Sequence, residues 1–141
     1  MRVAIVLLLC VLTGCGALPR DNRQTCLLPN QRPLVVAELF FGRNIPGREP
    51  LSDIEWETFA QKVIADNFPD GFTVLDTEGG WLDPRSGKLA REPGKLLIVA
   101  ADPSSEPAQR IGTVVETYRR QFRQQSVGVV TQQTCAAFTA P

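Results

Sequence analysis

Apolar positions along the chain alternate between two spacings. Leu34 to Phe41 (LVVAELFF) is a nearly continuous apolar run that stops at Gly42, which predicts a strand covered on both faces. A turn-rich loop, Arg43 to Leu51, follows. Ser52-Asp53-Ile54-Glu55 then reads as a capping box, and Trp56, Phe59, Ala60, Val63, Ile64 and Phe68 recur at helical spacing as one stripe. Pro69-Asp70-Gly71 ends that helix. Phe72 to Trp81 predicts a second strand, bent near Gly79-Gly80. Lys88 to Gly94 reads as a connection, and Lys95 to Ala101 as a third, almost wholly apolar strand. Asp102-Pro103-Ser104-Ser105 opens a second helix whose face is Ile111, Val114, Val115, Tyr118 and Phe122; Ser126 to Gln133 closes the pattern as a fourth strand.

The order β-α-β-β-α-β predicts an α+β protein of the ferredoxin-like kind: a two-layer sandwich with an antiparallel sheet ordered 4-1-3-2 and both helices on one face. On strand one, Val35, Ala37, Leu39 and Phe41 share the face expected to meet the helices. Leu34, Val36, Glu38 and Phe40 point the other way, a carboxylate among apolar groups. Strand four beside strand one brings Cys135, which follows the one, close to Cys26, which precedes the other.

The first fifteen positions read as an address. Met1-Arg2 is a short positive start, and Val3 to Leu12 is an apolar run of ten. That is shorter than the roughly 20 residues a membrane-spanning helix needs, and it suits the core of an export signal. Leu12-Thr13-Gly14-Cys15 resembles the bacterial lipobox, in which two small residues precede a cysteine that takes lipid at sulfur. The resemblance implies a lipoprotein signal peptide at residues 1–14, lipidation at Cys15 with acyl chains such as palmitate, a lipidated N-terminus and tether at 15–33, and a folded domain at 34–138. An ordinary signal peptide with a chance cysteine, or an uncleaved anchor, are the alternatives. Two or more acyl chains exceed what stable anchoring requires. The expected location is the cell envelope, facing the periplasm or exterior; Gly16 after the cysteine favours the outer membrane over the inner.

Composition narrows the function classes. Fifteen Lys and Arg balance fifteen Asp and Glu, so no nucleic-acid partner held by phosphate neutralisation is expected. The chain has no His, which removes Ser-His, Cys-His and His-metal chemistry. Of four cysteines, Cys10 leaves with the signal and Cys15 carries lipid, so Cys26 and Cys135 remain for a disulfide. In the chain-entropy model a loop of that length contributes roughly 4 to 5 kcal/mol. A reactive thiol pair is the alternative. Two cysteines without histidine cannot complete a zinc site, and neither metal nor cofactor is expected.

Several stretches resemble a family of small bacterial envelope proteins, the domain of unknown function thirty-five seventy-four. They are Glu38-Leu39-Phe40-Phe41-Gly42-Arg43, the helix start at Ser52 to Phe59, Phe68-Pro69-Asp70-Gly71-Phe72-Thr73-Val74-Leu75-Asp76, Gly80-Trp81, Arg91-Glu92-Pro93-Gly94-Lys95 and Gln125-Ser126-Val127. Leu82 departs from the polar or basic residue that often follows the tryptophan. The resemblance covers about Leu34 to Cys135 and implies an envelope domain of this fold, with no activity, catalytic residue or cofactor attached.

The candidate ligand or interface residues are Glu38, Phe40, Arg43, Asp76, Trp81 and Arg91. Glu38 either marks an outward site or pairs with Arg91 or Arg43. Asp76 and Glu78 could join Glu38 in a carboxylate group, or simply guard an edge strand. Arg43-Asn44 with Gly47-Arg48 could hold an anion ahead of Ser52, or form a solvated turn. Trp81 is either a packing anchor or a stacking platform. Arg119, Arg120 and Arg123 complement the end of helix two. The resulting expectation is a non-enzymatic binding or interaction module, anchored to a membrane, that takes a small-molecule or protein ligand or forms a homodimer through the open sheet face. The alternative is a small cofactor-free enzyme of the dimeric α+β-barrel type. It would use a pocket between sheet and helices, with Glu38, Asp76, Arg91 and Tyr118 as its titratable groups.

Overall fold

The computed structural model describes residues 26–138; the expected signal peptide, the lipid acceptor Cys15 and the first part of the tether lie outside them. Strand β1 (Arg32–Gly42) leads to helix α1, residues 53–67, then to strands β2 (Thr73–Leu82) and β3 (Leu89–Ala101), helix α2 (Pro107–Phe122) and strand β4 (Gly128–Ala136). The fold is α+β, with one antiparallel sheet ordered β2-β3-β1-β4, which is the expected order read from the other edge. Among the described residues no helix is long and apolar enough to cross a membrane.

Local chemistry sets the helix ends. Ser52 Oγ accepts from the Glu55 N–H at 3.3 Å, and the Glu55 carboxylate accepts from the Ser52 N–H at 2.9 Å, so the capping box forms. Helix α1 is not a regular helix throughout. It is α-helical over Asp53–Phe59, widens into a π turn over Ala60–Ile64 and closes with Ala65–Asn67. The extra residue in that turn shifts the phase so that Phe59, Ala60, Ile64 and Phe68 all stay on the core side. The second helix starts later than its sequence suggests. Asp102 caps a separate 3-10 turn, Pro103–Ser105, and Glu106 in the left-handed region (φ 55°) breaks it from Pro107, the first residue of α2.

The core lies between the sheet and the helices. Ala37, Leu39 and Phe41 of β1 and Leu97 and Val99 of β3 pack with Trp56, Phe59, Ile64, Val114, Tyr118 and Phe122. The rings form a contiguous cluster: Phe41 lies 5.3 Å from Trp56 and 4.6 Å from Tyr118, and Tyr118 lies 4.9 Å from Phe122 between centroids. Edge-to-face contacts of this kind add to the area that the rings bury. The Tyr118 hydroxyl in the cluster is satisfied, because it donates to the Gly42 carbonyl at 2.9 Å.

Strand limits differ from expectation: β2 is shifted by one residue, β4 runs Gly128–Ala136 rather than Ser126 to Gln133, and the starts of β1 and β3 move most in consequence. Strand β1 begins at Arg32, opposite Ala136, so the last two residues assigned to the tether belong to the sheet. Cys26 and Cys135 are joined as a disulfide with 5.5 Å between Cα atoms, which ties this end of the domain. Strand β3 begins at Leu89, so the segment read as a connection is paired with β2 almost throughout. Pro93 does not prevent it: its carbonyl accepts from the Arg43 N–H at 2.9 Å, so its missing N–H also faces the β1 side and β2 loses no bond.

Candidate functional site

Because both helices cover one face of the sheet, no other element covers the opposite face among the described residues. The strand registers align Phe40 with Leu96, Glu38 with Ile98, Leu75 with Leu96 and Glu38 with Val130, so these side chains share that face. Phe40 and Leu75 are each 44% exposed and Val130 54%. Phe40 lies against Gly128, where an added Cβ would come within 3.3 Å of the Phe40 Cβ. Glu38, half-buried on the central strand, has no ion pair among the described residues. At one end of the face a groove of about 510 Å³ runs between Leu34, Ile98, Ala100, Phe72 and Phe138, with Arg32 and Asp102 paired at its rim.

Beyond Gly94 the third strand neighbour is gone. Residues 79–82 of β2 pair with 89–92 of β3 and with nothing else, so the hairpin continues as a two-stranded arm. Its tip turn is closed by the Asp83 N–H on the Lys88 carbonyl at 2.9 Å, and Asp83 is held below the ordinary carboxylate range by hydrogen bonds from the Arg85 N–H and Ser86. Trp81, Leu82 and Leu89 are exposed on this arm at 48%, 68% and 59%.

A second feature sits on the helix side of β2. Lys95 is buried, and its ammonium lies 2.5 Å from Asp76 Oδ1 and 3.1 Å from Asp53 Oδ1. The Arg43 guanidinium lies 3.1 Å from the same Asp53 oxygen and 4.0 Å from Asp76, and its Nε donates to the Leu51 carbonyl at 2.7 Å. Two inner cations thus hold two outer carboxylates and pin the 43–51 loop and the start of α1 to the sheet. Burial alone would lower the Lys95 pKa, but Asp76 and Asp53 outweigh it and raise it, so the amine stays an ammonium and is no nucleophile at neutral pH. Asp53 is held below its ordinary value by the Lys95 hydrogen bond and the nearby Arg43 charge. A cleft of about 390 Å³ opens beside the cluster, walled by Trp56, Phe72, Val74 and Gln61, with Lys95 and Asp76 at one side. Among the described residues no group of three or more Asp, Glu, Cys or His is placed to hold a metal ion.

The residues singled out from sequence therefore fall in three places. Glu38 and Phe40 lie on the bare face, Arg43 and Asp76 meet in the ion cluster, and Trp81 and Arg91 lie on the arm. The carboxylate group of Glu38, Asp76 and Glu78 does not form: Asp76 pairs in register with Lys95 and Glu38 with Ile98, three residues apart on β3 and so on opposite faces. Nor does Glu38 pair with Arg91 or Arg43, because Arg91 bonds Glu78 and Arg43 turns inward. The anion site near Ser52 is taken up by the protein itself, since Arg48 donates to both Glu55 oxygens at 2.8 Å; the Ser52 and Arg48 bonds bring Glu55 down to about 2. Trp81 is half-exposed on the arm and lies outside the buried core cluster of the described residues. Of the arginines at the end of α2, Arg119 bonds Glu116 and the Gln125 carbonyl, while Arg123 reaches the Pro46 carbonyl. Sequence reasoning missed Lys95 and Asp53, each hidden inside a stronger pattern, an apolar strand and a capping box.

The model of the family described as Protein of unknown function (DUF3574) matches residues 36–138. The chain belongs to that family. No curated protein matches it. Among solved structures the DUF3574 domain is similar to a phage SAM lyase in complex with S-methyl-5'-thioadenosine, at 20% identity and a TM-score of 0.55 over 76% of this chain and 90% of that one. The apo state of a phage SAM lyase matches at 21% identity and a TM-score of 0.53, over 77% and 90% of the two chains. CutA from Synechococcus elongatus PCC7942 matches at 8% and 0.49, over 74% and 80%. The likeness of the DUF3574 domain to the phage lyases is one of fold.

Proposed function

We propose that this DUF3574 domain is a membrane-anchored interaction module of the cell envelope, built on a ferredoxin-like sandwich, that associates with copies of itself through its open sheet face. The observation that carries the reading is that face: Phe40, Leu75 and Val130 are exposed around Leu96, Ile98 and Glu38, where a finished surface would be polar. A four-stranded sheet with strands about 4.8 Å apart and about 30 Å long presents a patch of the order of 500 Å² in projection, near the area a specific contact needs from each partner. The envelope location is supported by the lipobox-like Leu12-Thr13-Gly14-Cys15 and by the Cys26–Cys135 disulfide, a bond that persists outside reducing compartments.

The test is co-capture. Two differently tagged full-length copies are expressed together and extracted from membranes; pulling on one tag is expected to bring the other copy, and Phe40→Glu in both copies is expected to abolish it. Absence of wild-type co-capture contradicts the reading.

A second reading, a small cofactor-free enzyme, is supported by the fold shared with the phage SAM lyase. The space between sheet and helices is filled by the Phe41, Trp56, Phe59 and Tyr118 rings, so the enzyme reading moves to the Lys95 cleft. Heat on titration with S-methyl-5'-thioadenosine, lost in Lys95→Met, would favour it.

A further inference from the structure

The arm and the bare face are two unsatisfied surfaces of one molecule. A two-stranded hairpin is at best marginal in water by itself, yet residues 79–82 and 89–92 pair regularly while exposing Trp81, Leu82 and Leu89. The bare face in turn offers an apolar floor with one carboxylate at its middle. Its other charged group on β1, Arg32, is held by Asp102. A face-to-face stack whose two-fold axis passes beside Glu38, the middle of the face, would bring two Glu38 carboxylates together with no cation between them, and that desolvation is costly. The arm carries what the face lacks. Lys88 has no ion pair among the described residues, and Arg85 is 93% exposed with only a 3.9 Å approach to Asp83. Four strand residues project about 13 Å, comparable to the roughly 14 Å across a sheet of four strands spaced about 4.8 Å apart.

Resting on the self-association proposed above, we propose that the contact is head-to-tail: the arm of one copy lies across the open sheet face of the next, with Trp81 on the Phe40–Leu96 floor and Arg85 or Lys88 facing Glu38. Contacts of this kind use different patches on the two partners, and repetition closes a ring or continues as an open filament according to the rotation between copies.

Complementation separates this arrangement from face-to-face and arm-to-arm contacts, and the wild-type mass separates a head-to-tail assembly of three or more chains from a reciprocal two-chain exchange. Phe40→Glu spoils the face and keeps the arm; Trp81→Asp spoils the arm and keeps the face. Full-length chains in one detergent are compared by sedimentation velocity, with circular dichroism and the Cys26–Cys135 bond confirming the fold, and Ala90→Asp, at the register partner of Trp81 and on the same side of the arm, serving as a second arm variant. Each variant alone is expected to sediment as a single chain. Mixed in equal amounts, across concentrations up to 100-fold above that at which wild type assembles, they are expected to form a two-chain complex and nothing larger, because only one sound joint exists between them. If both arm variants alone assemble like wild type, or the mixture stays single-chain, the arm proposal is overturned while self-association through the face stands. If wild type itself is a single chain throughout, both fall.

Discussion

Phe40 and Phe41 are neighbours in sequence and opposites in environment. Phe41 is 1% exposed and touches three rings of the core; Phe40 is 44% exposed on the far side of the same strand. The period of two in a strand sends them to different faces, and only one face has helices to meet. Burial on the inner face supports the fold of a single chain. Apolar surface on the outer face contributes little until something covers it, and so it points to association.

The contrast breaks most sharply by truncation. Phe41→Ala is expected to cost about 3 to 5 kcal/mol in denaturant unfolding, whereas Phe40→Ala is expected to stay within about 1 kcal/mol and to weaken co-capture instead. Equal losses from the two changes would erase the distinction between the faces. Next in size is the Cys26–Cys135 bridge, which ties the end of β4 to the segment ahead of β1 and so supports both faces alike. Reduction is expected to lower stability by about 2 to 4 kcal/mol, read as a shift in the unfolding midpoint with the slope examined for a looser denatured chain.

A smaller effect sharpens the inner side of β2. Lys95→Met removes the ammonium that holds Asp76 and Asp53, and Asp53 is expected to return toward the ordinary carboxylate value, followed by NMR titration of its carboxyl carbon. The smallest effect is on pH. Glu55 and Asp53 are held below their ordinary values in the folded chain, so their contribution is present above those values and lost as pH falls through the folded ones. For Glu55 the window runs from 4.5 down to about 2. Lys95 has the opposite sign, since its raised pKa keeps its contribution until pH climbs past the folded value, above 10.5. Stability is therefore expected to be level through neutrality and to decline in acid, and Glu55→Gln is expected to flatten the acid limb.

Much of the architecture was legible because local patterns and global topology agree. The apolar runs of β1 and β3 read as inner strands and are, the Ser52 box caps α1 as its spacing implies, and the parity of Val35 to Phe41 assigns the helix-facing side correctly. The misreadings come from interactions between segments distant in sequence. Leu89 to Gly94 is a strand because β2 pairs with it, which neither Pro93 nor Gly94 announces. The site was legible only in parts. Arg43 and Asp76 stood out as charged residues in a motif, but their meeting through Lys95 depends on the β2–β3 register, as does the parting of Asp76 from Glu38. From sequence Trp81 is either a packing anchor or a stacking platform; that it stands on a two-stranded arm follows from where β1 ends.

Sedimentation equilibrium of the full-length wild-type chain, in a density-matched detergent, bears on the open face most directly. The expected result is a protein mass of two or more whole chains, falling to that of one chain only on dilution. A single-chain mass at every concentration, up to the highest attainable, would contradict the claim that the outer face is an interface.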